Sequence, residues 1–221
     1  LEASADNKGA IVKAGGIPPL VILLRKEEYP EAQEAAAMVI ADLARSASGC
    51  KAVTMAGGIT SLVKLLINGG RDAQKHAACA LWGLTEPHAG EHQEANCRAV
   101  TSAGGLPTLA LMVAAREDSL GFAVAALKNL SSLSEARSVM VEEGVIDYLM
   151  LLITREDSWM KTQAVAVLNN LGVNAESGPS KPTLEQSKGE QSKGPSDKSS
   201  TSRMGASSRM GASTRPHMKV G

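Results

Sequence analysis

The sequence predicts an all-α solenoid, a row of about four units of three helices each, followed by a tail that cannot fold. Three observations carry this prediction. A glycine-centred segment recurs: Ala14-Gly15-Gly16-Ile17-Pro18-Pro19-Leu20-Val21 returns as Ala56-Gly57-Gly58-Ile59-Thr60-Ser61-Leu62-Val63 and as Ala103-Gly104-Gly105-Leu106-Pro107-Thr108-Leu109, with a weaker copy at Glu143-Gly144-Val145-Ile146. An alanine-rich motif follows each copy at nearly constant distance, at residues 36–43, 77–84, 123–130 and 164–171. The third observation is compositional: apolar residues make up 43% of the chain but aromatics only 2%, namely Tyr29, Trp82, Phe122, Tyr148 and Trp159. A core of Ala, Leu, Val, Ile and Met suits a helical array rather than a β-sandwich. With Gly16, Gly58, Gly105 and Gly144 taken as equivalent, the spacings are 42, 47 and 39 residues. That is the period of an architecture in which each unit buries its apolar face against the next.

The elements of a unit follow in order. A short first helix ends at the glycine pair, where a positive φ costs a glycine little. The second helix carries the densest apolar run. Taken alone, Leu20 to Leu24 reads equally well as a buried strand, but the equivalent Leu109-Ala110-Leu111-Met112-Val113 and Leu149-Met150-Leu151-Leu152 are strong helix formers. Pro18 and Pro107 stand where a first helical turn accepts proline. The third helix, rich in alanine, begins after a polar turn near Pro30, Asp72, Asp118 and Asp157, acidic residues there complementing the helix N-terminus. The units are read as residues 4–44, 45–87, 88–133 and 134–173, within an array spanning 1–175.

Beyond Ala175 the composition changes to Ser, Gly, Lys and Pro, with Glu-Gln-Ser-Lys-Gly duplicated at 185–189 and 190–194 and Ser-Arg-Met-Gly-Ala-Ser at 202–207 and 208–213. Such a segment buries too little apolar area to fold, so residues 176–221 are expected to be a disordered basic tail. It holds eight basic and four acidic residues, net +4, leaving 15 basic against 19 acidic in residues 1–175, net −4. The formal neutrality of the whole chain hides an acidic body and a basic tail.

The Gly-Gly-Ile/Leu-Pro-x-Leu-Val-x-Leu-Leu segments, in register with an Ala-x-x-x-Leu-x-Asn-Leu third helix, closely resemble the armadillo repeat family over about residues 4 to 173. That resemblance implies a right-handed α-solenoid with the third helices lining its concave face. HEAT repeats are the nearest rival, but their two-helix units do not need the glycine pair. Leu1 to Ala5 leaves no polar cap before the first unit, so more repeats are expected upstream.

No motif argues for catalysis, a cofactor or a metal. His88-Ala89-Gly90-Glu91-His92 fits an H-x-x-E-H zinc-protease pattern with Cys97 nearby, yet Pro87 and Gly90 interrupt the helix that pattern requires, and a loop insertion in the longest repeat spacing accounts for it. His76 and Cys79 share a helix face but lack a third ligand. No phosphate-binding glycine loop follows a strand, and no Ser-His-Asp set can be assembled. Charge balance and five scattered aromatics argue against nucleic acid, and no apolar stretch reaches the roughly 18 residues of a membrane span. Three cysteines, Cys50, Cys79 and Cys97, fit reduced thiols, and no export signal is visible, so the expected compartment is the cytoplasm, with the nucleus as a second.

What remains is surface. Positions at spacing 0, +4, +7 and +11 on the third helices share one face. The resemblance makes that face a peptide groove holding Asp42, His76, Asp118, Phe122, Asn129, Trp159, Gln163 and Asn170. Asn129 and Asn170 match the family's groove asparagine, whose amide both donates and accepts, as holding an extended backbone demands. The alternative role for both is hydrogen bonding between repeats. Asp42 and Gly83 stand at the same position in the other units, and no unit has Trp four residues earlier, where importin alpha carries its nuclear-signal tryptophans. Phe122 and Trp159 read either as anchors or as seams between third helices.

The expected function is therefore a non-catalytic scaffold that binds another protein through an extended segment. Third helices about 8 to 10 Å apart match about three extended residues per unit, roughly a dozen over four units. Two alternatives rest on the same resemblance: the substrate-recognition part of a U-box-type ubiquitin ligase, and a membrane-tethered vacuolar-type adaptor anchored by N-terminal acylation. The basic tail is further expected to compete for the acidic concave face of its own chain.

Overall fold

The computed structural model describes residues 2–115, 119–154 and 158–174, which lie within one compact unit, Leu1–Lys181. The tail 176–221 and Asp118 fall outside the described residues. Helices α1 (Glu2–Lys13), α2 (Ile17–Leu23) and α3 (Pro30–Leu43) form a first set of three, and α4 (Ala47–Met55), α5 (Gly58–Asn68) and α6 (Arg71–Thr85) a second. A 3₁₀ segment, Pro87–His92, precedes α7 (Gln93–Ser102), α8 (Gly105–Ala115) and α9 (Leu120–Leu130). The fourth set is α10 (Ser134–Glu142), α11 (Val145–Ile153) and α12 (Ser158–Asn170). No strand occurs among the described residues.

The two glycines of a pair do different jobs. Gly57 carries φ +69° and turns the chain from α4 into α5, a conformation that a side chain disfavours. Gly58 opens α5 with ordinary geometry but lies so close to the end of α4 that a Cβ would sit 2.6 Å from Val53 Cγ1 and 3.0 Å from the Val53 carbonyl oxygen. This division corrects the register of the fourth unit. Gly144 has φ +67°, so it matches Gly15, Gly57 and Gly104 rather than Gly16, Gly58 and Gly105. Val145 takes the close-approach position, and the repeat spacings measured on the turn glycines become 42, 47 and 40 residues.

The third helices form the inner layer. α3 packs along α6, α6 along α9 and α9 along α12, while first and second helices of successive units meet over less of their length. Small residues make that approach possible: Ala37, Ala77, Ala78, Ala80, Ala123 and Ala126 are all fully buried. A row of units that approach most closely along one layer curves towards it, so the third helices line the concave side. Between the layers runs one continuous core, in which Ile40, Leu62, Leu66, Leu81, Leu109, Leu127, Leu149 and Leu168 exclude solvent.

The residues behind the longest spacing do not form a free loop. Gly90 (φ 59°, ψ −130°) breaks the segment Pro87–His92, which packs on α4 and α7 and buries Ala89. The break keeps His88 and His92 off a common helix, removing the geometry that the H-x-x-E-H reading requires. Among the described residues no three His, Cys, Asp or Glu side chains come together as a metal site, and no single helix is long and apolar enough to cross a membrane.

Candidate functional site

The concave face is held together by contacts that repeat from unit to unit. The position two residues beyond the groove asparagine is Ala44, Thr85 and Ser131 in the first three units, and each meets the groove position of the unit that follows. Asn129 donates from Nδ2 to Thr85 Oγ1 (3.3 Å) and to Glu86 Oε1 (3.2 Å), and Asn170 donates to Ser131 Oγ (2.8 Å). Between the first two units no amide fits. A Cβ on Gly83 would already lie 2.8 Å from the Ala44 carbonyl oxygen. That oxygen, one of the orphan carbonyls at the end of α3, instead accepts from the Cys50 thiol at 3.0 Å and lies 2.8 Å from His88 Nε2. A carbonyl can only accept, so the His88 proton resides on Nε2 in this arrangement. Burial pushes both the Cys50 and the Cys97 thiol up to about 11, and all three cysteines are unpaired.

Asn129 is only 5% exposed and its amide hydrogens are engaged between repeats, whereas Asn170 is exposed at the end of α12. The two asparagines thus differ in what they can offer a ligand.

Trp82 organises the centre of the face. Its ring stacks on Phe122 (centroids 5.9 Å apart, 29° between planes) and meets Trp159 edge-on at 6.3 Å, so one aromatic cluster spans α6, α9 and α12. Trp159 lies over Gly121, where a Cβ would come within 3.1 Å of its ring, and keeps 46% of its surface open. The Trp82 indole N–H donates to Glu86, tying the cluster to the carboxylate that receives Asn129. Phe122 and Trp82 are half-buried, which makes the cluster a seam between units and a partly open apolar surface at once.

Towards the first unit the same face opens into a pocket of about 220 Å³ between α3, α6 and α9, walled by Met38, Cys79 and Phe122 and edged by Asp42, Arg45, Lys75 and His76. Asp42 pairs with Lys8 of α1 at 2.8 Å, and Met38 and Asp42 also line the adjoining pocket against α1. Met38 is 52% exposed, an uncovered apolar side chain in a concavity. The Cys79 thiol is raised chiefly by burial, with Arg45 acting against the rise and Asp42 adding to it.

The residues expected in the groove are therefore distributed as follows. Asp42, His76 and Phe122 meet at the pocket, and Phe122 also joins Trp159 through Trp82. Gln163 is half-buried one turn into α12, with no side-chain hydrogen bond among the described residues. Trp82, Arg45, Lys75 and Glu86 were not anticipated. Each lies one to three residues off the single stripe at spacing 0, +4, +7 and +11, and a helix face facing a groove is broader than one stripe.

A family profile for the Armadillo/beta-catenin-like repeat matches residues 4–45. Among solved structures, an engineered protein from a structural genomics programme is 33% identical with TM-score 0.64, covering 76% of this chain and 66% of its own. A second engineered protein is 32% identical with TM-score 0.66, and there the match covers 76% of this chain but 40% of the other. A computationally designed armadillo repeat protein for modular peptide recognition is 26% identical with TM-score 0.65, over 77% of this chain and 71% of the design. A designed armadillo repeat protein in complex with the peptide (KR)4 shares the fold at TM-score 0.63 and 24% identity, over 77% and 71%. No curated protein sequence matches. The helices form an armadillo-type right-handed α-solenoid, a protein-binding scaffold class. The chain belongs to the armadillo repeat family.

Proposed function

We propose that this chain is a non-catalytic interaction scaffold that holds an extended segment of another protein along the third-helix face. The observation that carries the reading is a pair of adjoining pockets on this face, sharing Met38 and Asp42 and reaching from α1 to Phe122, next to the aromatic cluster of Trp82, Phe122 and the half-exposed Trp159. Half-open aromatic rings beside polar groups fixed by the fold supply the anchors that usually dominate peptide affinity. The relatives add support of their own kind, since one was designed for modular peptide recognition and another was solved with a bound peptide. A substrate-recognition role within a ubiquitin ligase would use the same face.

The test is a selection of twelve-residue peptides on the full chain, followed by photo-crosslinking of the selected binders. Crosslinks should map to α6, α9 and α12. Phe122→Ala should weaken binding by about tenfold or more, as expected for an aromatic anchor. Crosslinks confined to the outer second helices, with affinity indifferent to Phe122→Ala, would overturn the proposal.

A further inference from the structure

The groove reading leaves open what kind of segment lies in it, and the charges at the pocket between α3 and α6 address that question. Four charged or titratable side chains edge this pocket: Asp42, Arg45, Lys75 and His76. Asp42, its one acid, is neutralised by Lys8 at 2.8 Å. Arg45 and Lys75 have no ion pair and no side-chain hydrogen bond among the described residues. Lys75 is half-buried on α6 and edges the pocket with no carboxylate in ion-pair range among the described residues. The first-turn acids Glu31 and Asp72 do not reach either cation, since no carboxylate stands within 4 Å of them among the described residues.

A concave pocket edged by two cations that have no counter-charge among the described residues focuses positive potential even on a body of net negative charge. Its walls are apolar, from Met38 and Phe122, so the complementary group is an anion carried next to an apolar side chain. Resting on the groove reading above, we propose that the pocket between α3 and α6 selects an acidic side chain of the bound segment, held by Arg45 and Lys75, with a neighbouring apolar side chain against Met38 and Phe122. This is opposite in sign to the (KR)4 peptide seen with the designed relative. The guanidinium of Arg45 can grip a carboxylate through two parallel donors, and Lys75 adds a point charge from the facing helix.

Three fluorescein-labelled twelve-residue probes, (Glu-Ser-Leu)4, (Gln-Ser-Leu)4 and (Lys-Ser-Leu)4, titrated against the full chain by fluorescence anisotropy, test it. The acidic probe should bind about tenfold more tightly than the neutral one at low salt, and the basic probe more weakly than either. The advantage should shrink as salt rises. The double variant Arg45→Gln/Lys75→Gln should bring the acidic probe to the level of the neutral probe, with the helical circular dichroism of the full chain retained. Equal binding of acidic and neutral probes, or tightest binding of the basic one, overturns the acidic preference while leaving the groove reading standing. Failure of all three probes to bind at millimolar concentration would bring down both.

Discussion

At Asn129 the side-chain amide spends its hydrogens on Thr85 and Glu86 of the preceding unit, in a place closed to solvent. Removing it leaves the Thr85 hydroxyl and the Glu86 carboxylate with fewer partners, and the cost falls on folding rather than on ligand. Asn129→Ala should therefore lower stability by about 1 to 3 kcal/mol, the range for a buried polar group that loses its partner. Asn170→Ala, at an exposed helix end, should change it by less than about 0.5 kcal/mol. Urea denaturation of the two single variants checks both, and equal small effects would show that the Asn129 bonds add little. The contrast was not legible from the sequence, where both residues close an identical Ala-x-x-x-Leu-x-Asn-Leu motif. What separates them is the neighbour two residues past the groove position one unit earlier, Thr85 in one case and Ser131 in the other, together with Glu86 and the end of the described array.

Element by element, the sequence reading came closest where a physical requirement singles out one residue type. A turn that needs positive φ demands glycine, and three glycine pairs placed the helix breaks. The fourth unit was misaligned by one residue because a lone Gly144 can serve as either member of a pair, and only its backbone angle decides. Trp82 was missed for the opposite reason: its position follows from how broad the concave face is, which no single helical stripe conveys. The extra residues Pro87–His92 were legible as an insertion but not as a packed one. His88 bonds to Ala44 across the first two units, so this segment acts as a tie between α3 and α4. His88→Ala should lower the denaturation midpoint by an amount equivalent to about 1 kcal/mol. It should also speed protease cleavage within residues 87–92, as a segment released from its docking surface opens more often. Unchanged midpoint and cleavage rate would mean that the segment is held by Ala89 and its neighbours alone.

Across the whole molecule the units look alike in outline, yet each joint is made differently. Gly83 meets Ala44 where there is no space for a side chain, Asn129 meets Thr85 and Glu86, and Asn170 meets Ser131. Swapping the second and third units would set Asn129 over Ala44, whose methyl offers it nothing, and place Gly83 over the Ser131 hydroxyl. A shuffled chain of identical composition should thus be less stable than the parent by at least the cost of one unpaired buried amide, about 1 to 3 kcal/mol, with its helical circular dichroism retained. An equally stable shuffled chain would show the joints to be interchangeable. If they are not, the array has a reading order as well as a repeat length. A duplication or loss of one unit, the easiest change a repetitive gene can suffer, would then succeed only where the new neighbours happen to speak the same pairing of amide with hydroxyl, or of glycine with alanine.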